Sequence, residues 1–97
     1  MIDLPPEQLT LIKNILVEQV PGLEVRAFGS RVTGGAKPYS DLDLVVVGEQ
    51  ALPLDVYFRL KDRFEESNLP IRVDVLDWHR ISEEFRQLIE QGFQIIQ

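Results

Sequence analysis

The sequence predicts an α+β protein: a small mixed β-sheet with helices packed on one face, in the element order α-β-β-α-β-α. Three observations predict it. Three stretches carry apolar residues at helical spacing, three shorter ones are strand-like and partly β-branched, and Pro or Gly marks most of the boundaries. Pro5-Pro6 followed by Glu7 suits a first helical turn, where a missing N–H costs nothing and a carboxylate meets the positive end of the helix dipole. Leu9, Ile12, Leu16 and Val20, flanked by Leu11 and Ile15, continue that helix until Pro21-Gly22 stops it. Residues 23–28 alternate loosely and run into Gly29-Ser30, a short strand delivered into a turn. Residues 31–40 contain Gly34-Gly35 and Pro38 and read as a loop. Residues 41–47, Asp-Leu-Asp-Leu-Val-Val-Val, form the central strand, buried on both faces. Pro53 opens a second helix carrying Leu54, Tyr57, Phe58, Leu60 and Phe64, which closes near Asn68-Leu69-Pro70. Residues 71–76 are the third strand. Ser82 caps a last helix with an apolar stripe of Phe85, Leu88 and Ile89, stopped at Gly92. The apolar tail at Phe93, Ile95 and Ile96 either adds an edge segment or joins a protein interface, and the first reading is favoured.

Composition narrows the function. Ninety-seven residues without an internal repeat or linker-like tract give one unit spanning residues 1–97, with no room for a second substrate-binding domain. Apolar residues at 44% and charged residues at 27% are those of an ordinary globular protein. Without cysteine and with one histidine there is no disulfide scaffold, no thiolate site and little scope for a zinc cage, which leaves carboxylates as metal ligands. The balance of 10 Lys+Arg against 16 Asp+Glu, a net charge of −6, argues against direct nucleic-acid binding by counterion release. No basic-then-apolar leader opens the chain and no stretch approaches a membrane span, so the expected location is the cytoplasm.

The chemistry concentrates in Gly29-Ser30-Arg31 and Asp41-Leu42-Asp43. Two aspartates two residues apart on a strand project to the same side, forcing like charges together. A hard divalent ion with oxygen ligands relieves that repulsion, and magnesium is the natural candidate. A Gly-Ser turn just after a strand offers close backbone approach, N–H groups and a hydroxyl for phosphate oxygens, and Arg31 beside it could add a charged phosphate clamp. Asp74, within the third strand, supplies another carboxylate; its bland explanation is a salt bridge to Arg72 or Arg26. If the second and third strands are neighbours, Asp41, Asp43 and Asp74 converge opposite the turn as a two-metal site for phosphoryl or nucleotidyl transfer. Asp77, three residues beyond Asp74, faces the other side of the sheet. His79 and Trp78 fit a loop role and packing at the sheet end, Lys37 and Tyr39 a solvated loop, and Glu65-Glu66 and Glu83-Glu84 solvated helix faces.

Gly29-Ser30, the ten residues from 31 to 40, and Asp41-Leu42-Asp43 match the G-S-x10-D-x-D signature of the DNA polymerase β-like nucleotidyltransferase superfamily, with Asp74 at its third carboxylate. The chain resembles the minimal nucleotidyltransferase (MNT) branch over nearly its whole length. That resemblance implies the polymerase β-like fold. It also implies that Gly29 and Ser30 hold a triphosphate, that Asp41 and Asp43 bind Mg²⁺ with the nucleotide, and that Asp74 helps activate the attacking hydroxyl. Many MNT proteins are antitoxins paired with a HEPN-domain toxin, and some transfer AMP from ATP to a tyrosine of that partner. Two alternatives stay open: a binding module that neutralises its partner by capture alone, and nucleotidyl transfer to a small molecule or RNA.

Overall fold

The computed structural model describes residues 2–97. Helix α1 spans Pro6–Gln19, β1 Glu24–Phe28, α2 Ser30–Thr33, β2 Leu42–Val47, α3 Leu54–Glu66, β3 Val73–Asp77, α4 Glu83–Glu90 and β4 Phe93–Ile95, with a single 3-10 turn at Trp78–Arg80. The four strands form one mixed sheet in the order β3-β2-β1-β4: β1 runs antiparallel to both β2 and β4, and β2 parallel to β3. The parallel pair requires a crossover, and α3 supplies it.

Alternation along the strands separates two cores. Val25 and Ala27 of β1, Leu42, Leu44 and Val46 of β2 and Val75 of β3 share one face, on which Ile12, Ile15 and Leu16 of α1 and Leu60 and Phe64 of α3 pack. Phe28, Val45 and Ile89 are buried on the opposite face, with Phe85 and Trp78 against them. The Phe28 and Phe85 rings meet edge-on, with centroids 6.0 Å apart. The expectation of helices on one face is therefore corrected. The two long helices do share a face, but the Phe85–Ile89 stripe of α4 has its own apolar surface to cover, made by Phe28 of β1 and Val45 of β2. As expected of a central strand, β2 is covered on both sides.

Local signals explain most boundaries. Pro6 opens α1, Glu7 lies in its first turn, and Ser82 Oγ accepts from Phe85 N at 3.1 Å to cap α4. One element departs from the sequence reading, and an open reading is decided. Ser30–Thr33 make one helical turn where a Gly-Ser turn and loop were expected, closed by Thr33 N and Val32 N donating to the Gly29 carbonyl at 3.0 Å. The C-terminal tail forms β4 at the sheet edge, the favoured of its two readings, and Gln97 Nε2 ties it back to the carbonyls of Val20 and Leu23. Among the described residues no helix is long and apolar enough to cross a membrane.

Candidate active site

One row across the sheet joins the residues singled out above. Phe28 of β1 is the register partner of Asp43 of β2, and Asp43 is that of Asp74 of β3. The parallel pairing of β2 and β3 thus places two carboxylates side by side, on the face opposite α1 and α3. Asp41 stands exposed one residue before β2 begins. Burial, first, and then the charges of Asp74 and Asp41 push the Asp43 carboxyl above the usual aspartate range.

Gly29 lies directly against this carboxylate. Its φ is +82°, and a Cβ there would overlap Asp43 Oδ2, so only glycine satisfies both the backbone conformation and the close approach. Ser30 follows, half-buried, as the first residue of α2. The N–H groups of Ser30 and Arg31 open that turn without a partner inside it. The turn and Asp43 are therefore one unit.

Arg31 goes elsewhere. It is 6% exposed, and its guanidinium donates to four carbonyls: Nε to Ser40 at 3.0 Å, Nη1 to Asp3 at 2.7 Å, and Nη2 to Lys37 at 3.3 Å and Pro38 at 3.1 Å. A planar fork of five donors with four of its N–H bonds spent on main-chain oxygens is a loop clasp. The phosphate clamp suggested by the sequence is corrected accordingly: Arg31 shapes the segment between the Gly-Ser turn and the aspartates. Ser40 Oγ, accepting from Lys37 N at 2.8 Å, tightens the same loop.

Asp74 Oδ1 pairs with Arg72 Nη2 at 2.9 Å, one of the two salt bridges foreseen for it. Arg26 instead pairs with Glu24 and lies between the rings of Trp78 and Phe93, 5.1 and 4.3 Å from their centroids. Among the described residues no group of three metal-ligating side chains is in place, and Asp74 is held by Arg72. Asp41 and Asp43 still suit magnesium, which takes one or two carboxylates and completes its octahedron with water and substrate phosphates. The charges of Asp74 and Asp41 beside Asp43 are the repulsion that a cation at this position would relieve.

Asp77 does face away from Asp74. It is 2% exposed and accepts from Leu52 N at 2.8 Å, His79 N at 2.9 Å and Arg80 Nη1 at 2.6 Å, so it holds the entrance to α3 and caps the 3-10 turn. The exposed His79 places Nε2 2.6 Å from the Gly48 carbonyl, far from any site role. A cleft of about 640 Å³ contains Asp43 and Asp74 and extends past Arg72 to Tyr57 and Lys61 of α3. Those two helix residues were missed as site candidates; their spacing of four, which puts them on one helix face, was the available signal.

A mixed sheet that sets paired aspartates under a Gly-Ser turn defines a nucleotidyltransferase. Residues 9–97 match the nucleotidyltransferase domain family, and the chain belongs to it. It is 49% identical over 96 residues, 99% of this chain and 84% of the other, to the probable protein adenylyltransferase MntA of Haemophilus influenzae. A crystal structure of a toxin–antitoxin with AMP-PNP has the same fold, with a TM-score of 0.75 and 22% identity, over 96% of this chain and 73% of that one. So does the complex of a tri-AMPylated Shewanella oneidensis HEPN toxin with its MNT antitoxin, with a TM-score of 0.65 and 22% identity, over 92% and 71% of the two chains.

Proposed function

We propose that this protein is a Mg²⁺-dependent adenylyltransferase that moves AMP from ATP to a tyrosine hydroxyl of a HEPN-domain toxin, and so serves as the antitoxin of a toxin–antitoxin pair. The observation that carries this reading is the Asp43–Asp74 register pair beneath Gly29, in a chain half identical to a probable protein adenylyltransferase. Residues 1–97 act as one catalytic unit in the cytoplasm, where ATP is available.

In this mechanism the Gly29-Ser30 turn receives the triphosphate, the Ser30 hydroxyl and the N–H groups of the turn donating to its oxygens. Asp41 and Asp43 would hold magnesium, two ions being expected, which when bound neutralises charge on the phosphates. The acceptor oxygen attacks the α-phosphorus, its bond to phosphorus forms as the bond to pyrophosphate breaks, and Asp74 accepts the hydroxyl proton. Asp74 is suited to this role because Arg72 engages one oxygen, Oδ1, and leaves the other for the acceptor. Arg31 is a positioning residue that fixes the loop between turn and aspartates.

Labelled ATP with Mg²⁺ should label the partner covalently, and an Asp41→Ala/Asp43→Ala variant should fail to do so by at least about a hundredfold. Equal labelling by the variant overturns the reading. The binding-module alternative predicts instead that the same variant still neutralises the toxin in cells.

A further inference from the structure

The sequence holds two tyrosines, Tyr39 and Tyr57, and the fold treats them differently. Tyr57 is half-buried on α3 and its hydroxyl is committed, donating to the Val75 carbonyl at 2.8 Å. Tyr39 is 80% exposed, in the loop that leads into Asp41.

That exposure is fixed by the backbone. Residues 37–40 form a β-turn with Pro38 at its first corner and Tyr39 at its second. Ser40 N donates to the Lys37 carbonyl at 3.0 Å, and Lys37 N donates back to Ser40 Oγ at 2.8 Å. Arg31 grips the same turn, its guanidinium donating to the carbonyls of Lys37, Pro38 and Ser40. Both flanks of Tyr39 are therefore tied down, and its ring stands out in solvent from the tip of a closed turn. Asp41 follows two residues later, a chain distance of at most about 7 Å. A tyrosine hydroxyl is the acceptor group of the activity proposed above, and Tyr39 carries one, held out at the rim of the site.

We propose that Tyr39 is itself an AMP acceptor: one copy of this chain adenylylates the Tyr39 hydroxyl of another. The proposal rests on the adenylyltransferase reading and adds a second acceptor to it. Because the turn is clasped on both sides and the ring stands clear of its own site, the hydroxyl is offered to a neighbouring copy. The Tyr39 oxygen of one copy attacks the α-phosphorus of ATP held by the other. The new oxygen–phosphorus bond forms as the bond to pyrophosphate breaks, and the phenolic proton passes to Asp74 of the copy that holds ATP. The products are tyrosyl-AMP and pyrophosphate.

The test mixes two forms of the chain with labelled ATP and Mg²⁺. One is a size-tagged Asp43→Asn variant, which loses transfer and leaves residues 37–41 untouched. The other is Tyr39→Phe, which loses only a hydroxyl and keeps the site. Label should enter the tagged chain, on the peptide that contains Tyr39 and not on the one that contains Tyr57. Tyr39→Phe alone should lose the label that the unaltered chain gains, while labelling a HEPN-domain partner at the unaltered rate. A labelled partner beside an unlabelled tagged chain overturns the proposal and leaves the adenylyltransferase reading standing. Label on the tagged chain at any residue other than Tyr39 also overturns it, and label on neither protein overturns the proposal together with that reading.

Discussion

Strand β3 carries two aspartates three residues apart whose circumstances are opposite. Asp77 is 2% exposed and receives three hydrogen bonds, two from main-chain N–H groups and one from Arg80. The Asp74 side chain is 38% exposed and paired with Arg72, and its neighbour Asp43 is a second carboxylate. One aspartate is matched by three buried donors; the other has a single exposed arginine on one oxygen and a carboxylate beside it. A buried carboxylate with donors on both oxygens is a structural part, whereas two adjacent carboxylates repel each other at a cost in stability. Side-chain identity and strand membership are the same in both cases, so the surroundings decide the role.

The largest effect should come from the satisfied side of this contrast. Asp77→Ala removes the charge that Leu52 N, His79 N and Arg80 are arranged around, and should destabilise the protein by about 3 kcal/mol, lowering Tm by roughly 10 °C or more in a circular-dichroism melt. A loss under about 1 kcal/mol would erase the distinction. Arg31→Met keeps most of the buried volume but forfeits four hydrogen bonds to carbonyls, and should cost about 2 kcal/mol in denaturant titration while speeding hydrogen exchange in residues 37–40. Unchanged stability with weakened ATP binding would instead restore the phosphate-clamp role.

Asp43→Asn should act with the opposite sign. Its carboxyl is raised above the usual aspartate range, so in the window just above that range the native state holds more proton than the unfolded chain, and stability falls as pH rises through it. Asparagine removes this dependence: the variant should match the parent at pH 3 and melt higher at pH 7 without metal, while losing transfer activity. A variant less stable than the parent at neutral pH contradicts the assignment. The smallest effect belongs to Arg72→Ala, whose pair is largely exposed; stability should move by no more than about 0.5 kcal/mol, although acceptor transfer slows.

Much of this was legible in the sequence, for physical reasons. Long periodic helices and a β-branched central strand bury enough apolar surface to declare themselves, which is why α1, α3, β2 and β3 lie within a residue or two of where the sequence puts them. The glycine at position 29 and the spacing to Asp41 and Asp43 were equally plain, because the backbone conformation and the charge crowding leave few substitutes. What escaped was short or long-range. The four residues of α2 are too few to show a period. The destination of Arg31 depends on carbonyls, which every residue carries, so nothing in the sequence marks Asp3, Lys37, Pro38 and Ser40 as its partners. The helices' division between faces depends on which side of the sheet α4 reaches, and that is a property of the assembled topology.

The contact between Asp3 and Arg31 runs both ways: Asp3 N donates to the Arg31 carbonyl at 2.6 Å, and Arg31 Nη1 donates to the Asp3 carbonyl at 2.7 Å. The segment ahead of α1 is thereby laced to the loop between the Gly-Ser turn and the aspartates. Loss of Asp3 would strip the Arg31 guanidinium of one of its four carbonyls, so the shape of that loop depends on a residue 28 positions away in sequence.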